Sequence, residues 1–231
     1  LNDHEALRLA CSYLSFVHYA QRADGRFRNF LTYDQTWLDE MGSEDCFGRA
    51  LASFGQVISV SKFPENIRRS AWHMLLKSRR WLAHLGSPRA QAFALVGLAA
   101  CCENPFEKSH EMVHEVRGLA DKLEARFRAE ATPDWPWFEA YVTYSNAYLP
   151  LALLRAHRLV GEERYLSAGL ESLDFLIQVL VQNSGPLAAS PALSPRDAAL
   201  RRAQGEQVRG GLGGSSEACQ GEVSGEVFSP I

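Results

Sequence analysis

The sequence predicts an all-α fold of antiparallel helical hairpins, and three observations lead there. Apolar residues recur at helical spacing in about seven successive segments. No stretch alternates convincingly as a strand. Strongly apolar helices (the second, fourth and sixth) alternate with more polar ones, the pattern of an inner ring of helices wrapped by an outer ring, as in an α/α toroid. Short connections favour stacked hairpins. A helical-repeat solenoid would also give hairpins, but no repeat of fixed period is present.

The elements follow in order. Leu7, Leu9, Ala10, Tyr13, Leu14, Val17 and Tyr19 form the apolar stripe of the first helix. Ser43 reads as the N-cap of the second, with Glu44 and Asp45 in the first turn, where the helix dipole favours carboxylates. That helix continues through Ala50, Leu51, Phe54, Val57 and Ile58. The third starts after Pro64, carries Ile67, Ala71, Trp72, Leu75, Leu76 and Trp81, and stops at Gly86. After Ser87-Pro88 the fourth reads QAFALVGLAACC, apolar on almost all sides, as a helix buried between neighbours reads. The fifth, about His110 to Ala131, is amphipathic and charged. The sixth covers about Phe138 to Leu159; Pro150 leaves the Asn146 carbonyl without its helical partner, so a kink or a late start is expected. The seventh runs from about Glu162 to Val181.

Beyond about Gln182 the character changes. Residues 183–231 hold 8 of the 17 Gly and 4 of the 10 Pro, with no Trp or Tyr. Such a segment buries too little apolar surface to offset its ordering entropy. The expected organisation is a helical domain over 1–182 and a disordered Gly/Ser/Pro-rich tail over 183–231.

Composition narrows the function classes. A net charge of −3 gives no footprint for nucleic acid. No apolar run approaches the roughly 20 residues that span a bilayer. The polar, acidic N-terminus (LNDHEALRLA) is unlike a signal peptide, and five Cys without a CxxC fit a reducing compartment, so a cytoplasmic setting is expected. Cys101 and Cys102 close a very apolar helix and read as buried structural thiols. The seven His show no metal-ligand spacing, and neither GxGxxG nor GxxxxGK[ST] occurs, so no metal and no cofactor are expected.

Two clusters stand out. Asp24 to Asp45 (DGRFRNFLTYDQTWLDEMGSED) and Thr132 to Tyr144 (TPDWPWFEAYVTY) each crowd bulky rings among carboxylates before an apolar helical stretch. A simple connection needs small polar residues and a turn. Rings beside carboxylates suit a saccharide, with its apolar C–H faces and fringe of hydroxyls. The first cluster offers Tyr33, Asp34, Trp37, Glu44 and Asp45; the second offers Asp134, Trp135, Trp137, Glu139 and Tyr144, with Asn146 just after it. Each acid also has a plain role. Asp39 and Glu40 read as solvated or capping residues, and Glu44 and Asp45 as helix-dipole acids. Asp134 reads as an N-cap before Pro136, with Glu139 its capping-box partner.

The stretches Gly25 to Gly48 (GRFRNFLTYDQTWLDEMGSEDCFG) and Asp134 to Leu154 (DWPWFEAYVTYSNAYLPLALL) resemble a bacterial family of helical domains fused to, or encoded beside, glycosyltransferases and mannoside-processing enzymes. The resemblance covers roughly residues 5 to 182 and is similar to the six-hairpin (α/α)6 toroid glycosidase superfamily. It implies a carbohydrate-active domain, glycoside hydrolase-like, acting on an oligosaccharide or glycoside. A non-catalytic glycan-binding or scaffolding module beside a glycosyltransferase is the alternative. Hydrolysis would pair one acid from Asp34, Glu44 and Asp45 with one from Asp134 and Glu139, as proton donor and as base or nucleophile. Trp37, Trp135 and Trp137 would stack on sugar rings. Two departures stand against the family pattern. Such toroids have twelve helices, so the ring here is expected to be incomplete, truncated at its C-terminal end. Ser145 also stands where an acidic residue is expected after Tyr144. Sugar epimerisation would need His as acid and base, and neither cluster contains one.

Overall fold

Ser43 starts its helix as its residue type dictates: its backbone is extended (φ −67°, ψ 159°) and its side chain accepts the Cys46 amide. Ser87 does the same for Ala90, with Pro88 as the first helical residue, where a missing amide costs nothing. The computed structural model describes residues 3–180 as α1 Asp3–Ala20, α2 Glu44–Ser59, α3 Glu65–Ser78, α4 Pro88–Glu103, α5 Val113–Glu130, α6 Tyr148–Val160 and α7 Glu163–Leu180. Two 3₁₀ turns, Arg79–His84 and Ser109–Met112, extend α3 and lead into α5. Among the described residues there is no strand, and the fold class is all-α. The tail over 183–231 lies outside the described residues.

Every residue of α4 from Pro88 to Cys101 is buried, as its all-round apolar sequence requires. It lies between α2 and α6. Backbone meets backbone on the α2 side: a Cβ on Gly55 would sit 2.1 Å from the Gly97 carbonyl oxygen, and one on Gly97 2.4 Å from that of Leu51. Gly48 meets Ala90, and two turns further along both helices Gly55 meets Gly97, so α2 and α4 run parallel. The α6 side advances the same way, from Arg89 at Asn146 through Phe93 at Tyr148 to Val96 at Arg155. Parallel neighbours need antiparallel returns, and α3 and α5 supply them. Their contacts also step forward together, Arg79 with Glu115 and Lys122 with the Ala83 carbonyl. The turn into α7 is made by Gly161, in the left-handed region at φ 78°. Residues 44–180 therefore form an inner layer of α2, α4 and α6 and an outer layer of α3, α5 and α7.

The start of the sixth helix departs from the helical periodicity. The sixth helix starts at Tyr148, the late start that Pro150 foreshadows, because a proline in the first turn lacks no bond. Residues 133–147 are irregular, so Asp134 and Pro136 open no helix there. At the other end α1 fully buries only Leu14 and Ala20, leaving Tyr13, Phe16 and Tyr19 half-exposed or more.

Of the vicinal thiols expected to be buried, Cys101 is buried and Cys102 is half-buried. Burial pushes Cys101 up to about 12, aided by Cys102, and Cys102 up to about 11, aided by Glu115 and Glu103. Both are therefore neutral at pH 8, and the thiolate is the reacting form. Iodoacetamide at pH 8 should leave both unmodified in the folded protein and label both in denaturant. Peptide mass spectrometry reads the outcome, and rapid native labelling of Cys101 would contradict it.

Candidate functional site

Because α2, α4 and α6 run parallel, their N-termini open at one end. Asp45, in the first turn of α2, and Arg89, in the first turn of α4, meet the loop that enters α6 there. Arg89 is 5% exposed and is the hub. Its Nε donates to the Tyr144 carbonyl at 2.8 Å and its Nη2 to Asn146 Oδ1 at 3.3 Å, while Nη1 pairs with Glu139. The guanidinium also lies 4.8 Å from the Tyr144 ring centre. Asn146 Oδ1 accepts the Thr143 amide at 3.2 Å, which closes the loop on itself. Ser145 takes the left-handed region at φ 50°, a strained setting for a side-chain-bearing residue.

Tyr144 joins the two clusters. Its hydroxyl donates to Asp45 Oδ1 at 3.2 Å, and Arg49 Nε donates to Asp45 Oδ2 at 2.7 Å. Arg49 Nη2 reaches Ser145 Oγ at 3.2 Å, and its guanidinium lies over Phe93 at 4.4 Å. Burial and the Asp45 carboxylate raise the Tyr144 phenol above its ordinary range, so it stays a proton donor near neutrality. The ring is 49% exposed, with Asp45 at its phenol end and the Arg89–Glu139 pair at its carbonyl end. Two guanidinium groups and two carboxylates pair within the site, so its charge is balanced. Its outer surface is a tyrosine face fringed by charge-assisted donors and acceptors.

The structure thus brings together Asp45 from the first cluster with Glu139, Tyr144 and Asn146 from the second. Of the other candidates, Glu44 and Asp34 hydrogen-bond, and Trp37 packs, outside that cluster. Glu44 accepts the amides of Gly86 at 2.9 Å and Ser87 at 2.6 Å, tying the mouth of α2 to the loop before α4. Asp34 sits in an exposed turn, where the Thr32 hydroxyl holds its carboxyl below the usual range, opposite to what a proton donor needs. Tyr33 is fully exposed at that turn's tip. Trp37 packs against Phe16 and Tyr19 of α1, at ring-centre distances of 6.3 and 5.4 Å. Asp134 is exposed in the turn closed by Thr132 and Trp135.

Trp135 and Trp137 are placed differently from the stacking rings their sequence suggests. They are 5% and 0% exposed, packed on Phe175 of α7 and, for Trp137, on Phe138. Their burial anchors the irregular loop, which has no helix of its own to hold it down. Sequence reasoning missed Arg49 and Arg89. A signal for Arg89 was present: a cation in the first turn of an otherwise apolar helix opposes the dipole and needs a carboxylate beside it. Among the described residues no group of three His, Cys, Asp or Glu could hold a metal ion. None of their helices is long and apolar enough to cross a membrane. Neither the family models, the curated proteins nor the solved structures give a match to this protein.

Proposed function

We propose that this is a carbohydrate-active helical domain that binds a neutral oligosaccharide at the mouths of α2, α4 and α6. The two-layer arrangement is taken as part of an (α/α)6 ring, the fold its sequence motifs resemble. One observation carries the reading: the exposed Tyr144 ring, locked from both ends by Asp45 and Arg89. A rigid aromatic face receives a sugar's C–H surface at little entropic cost, and the flanking pairs meet its hydroxyls. Charge balance favours a neutral saccharide over a phosphorylated one, because both guanidinium groups already hold carboxylates. The partner envisaged is a glycosyltransferase domain, in a cytoplasmic setting.

Glycoside hydrolysis is the second reading, supported by Asp45 at the phenol of Tyr144 and Glu139 on the Arg89 that holds its carbonyl. One would protonate the leaving oxygen while the other activates water or attacks the anomeric carbon. A glycan array followed by titration of the best mannoside or glucoside tests the binding. Tyr144→Ala should weaken it roughly tenfold or more, and Tyr144→Phe, which keeps the ring, by a few-fold. Equal affinity in Tyr144→Ala would sink the site. Hydrolysis requires turnover in the parent that Glu139→Gln abolishes; binding without turnover in the parent leaves the binding module.

A further inference from the structure

A second surface, built from none of these residues, lies on the outer layer. Helix α3, continued by the 3₁₀ turn Arg79–His84, borders α5 across a groove of about 540 Å³. Leu82 and Leu119, each 3% exposed, form its recessed floor, and Ala83 and Leu76, the latter 39% exposed, stand exposed beside them. Arg79, Arg80 and Lys122 line its rim. Arg79 pairs with Glu115 across the groove. Arg80 and Lys122 bond backbone carbonyls, those of Asp24 and Ala83, and among the described residues no carboxylate pairs with either. On a protein of net charge −3, this is a local excess of positive charge over an apolar floor.

Gly118 sharpens the case. It lies inside α5 and lines the groove, and a Cβ there would meet nothing within 4 Å. A glycine within a helix costs about 1 kcal/mol relative to alanine. Gly55 and Gly97 are explained by backbone contact, but no packing within the fold explains Gly118. Its missing side chain does one visible thing: it keeps the groove open.

We infer that this groove docks an acidic amphipathic helix of a partner protein. Two roughly parallel ridges with an apolar floor accept the apolar face of a helix, and the cationic rim pairs with carboxylates flanking that face. The stretch spanned by Gly118 and Lys122 with Leu76 and Ala83 suits about two helical turns. A flat anionic membrane would touch the rim and leave the recessed floor empty. Nucleic acid has no use for a leucine floor.

The test uses the full-length protein and a fluorescein-labelled helical peptide of about four turns, with Leu at 3.6-residue spacing and Glu on both flanks of that stripe. Its affinity is expected in the micromolar range and to fall with added salt. Gly118→Leu fills the groove from an open helical position, so the fold is retained, as circular dichroism will show, and affinity should drop roughly tenfold or more. Arg80→Glu with Lys122→Glu should lower it comparably. A peptide with Lys in place of Glu, and one with Ser in place of Leu, should bind at least tenfold more weakly. No binding of the acidic peptide, undiminished binding to Gly118→Leu, equal binding of the Lys peptide, or preference for phosphatidylserine vesicles or single-stranded DNA would each overturn the inference.

Discussion

Gly97→Val is expected to destabilise the protein by about 3 kcal/mol, near the upper end of what overpacking costs. The site of the damage is unusual. The Cβ of any residue at 97 would lie 2.4 Å from the Leu51 carbonyl oxygen and 2.8 Å from the Ala52 Cα, both backbone atoms of α2. A flexible neighbouring group would swing aside; a helix backbone does not, so α2 must lift away from α4 as a unit. The two helices bury Leu51, Phe54, Leu95 and Leu98, so the separation opens the centre of the core. For a domain of this length each kcal/mol moves the thermal midpoint by roughly 2–4 °C, giving a fall of about 6–12 °C. Gly118→Ala is the control: with open space around it, it should raise the midpoint by about 2–4 °C. Melting followed at 222 nm decides the matter, and equal midpoints for the two variants would show that α2 and α4 are not in backbone contact.

Arg89→Met should cost about 2 kcal/mol and abolish the saccharide binding proposed for this site. Breaking a buried ion pair costs roughly 3–5 kcal/mol, and the lower value reflects Glu139, whose side chain keeps 27% of its surface exposed. Methionine retains most of the arginine stem's volume, so the loss isolates the charge and its hydrogen bonds. The loop then loses its ties at the Tyr144 carbonyl, Asn146 and Glu139 together, and Tyr144 is no longer held against Asp45. A double variant separates stability from function. Arg89→Met with Glu139→Leu leaves no orphaned charge and should recover about 1 kcal/mol or more, the coupling expected of residues in direct contact. Binding should stay lost, because the tyrosine remains unclamped. Recovery of binding alongside stability would mean that Arg89 serves the fold alone.

The parts of this architecture readable from residue order are those set within one or two helical turns. Ser43 and Ser87 announce their helices because a hydroxyl at an N-cap answers an amide three residues on. The all-round apolar run of α4 announces its burial, and Pro150 announces the late start of α6. Asp45, Glu139, Tyr144 and Asn146 stood out as polar or aromatic residues near helix mouths, and the structure brings them together there. What could not be read was company. Gly55 meets Gly97, and Arg89 meets Glu139, across stretches of sequence whose local patterns do not specify the partner. The same blindness concerns the rings: Trp135, Trp137 and Tyr144 sit close together in one aromatic stretch, yet two are buried and one is exposed.

Helix identity, order and the Ser43 and Ser87 caps were thus settled by periodicity and hydrogen-bonding chemistry acting over a few residues, where the backbone's own spacing sets which groups meet. The parallel inner layer, the glycine contact that permits it and the Arg89 hub were settled by packing between distant segments. Each such contact depends on where two helices lie in space, and that is fixed by the summed burial of the whole core rather than by any local run of residues.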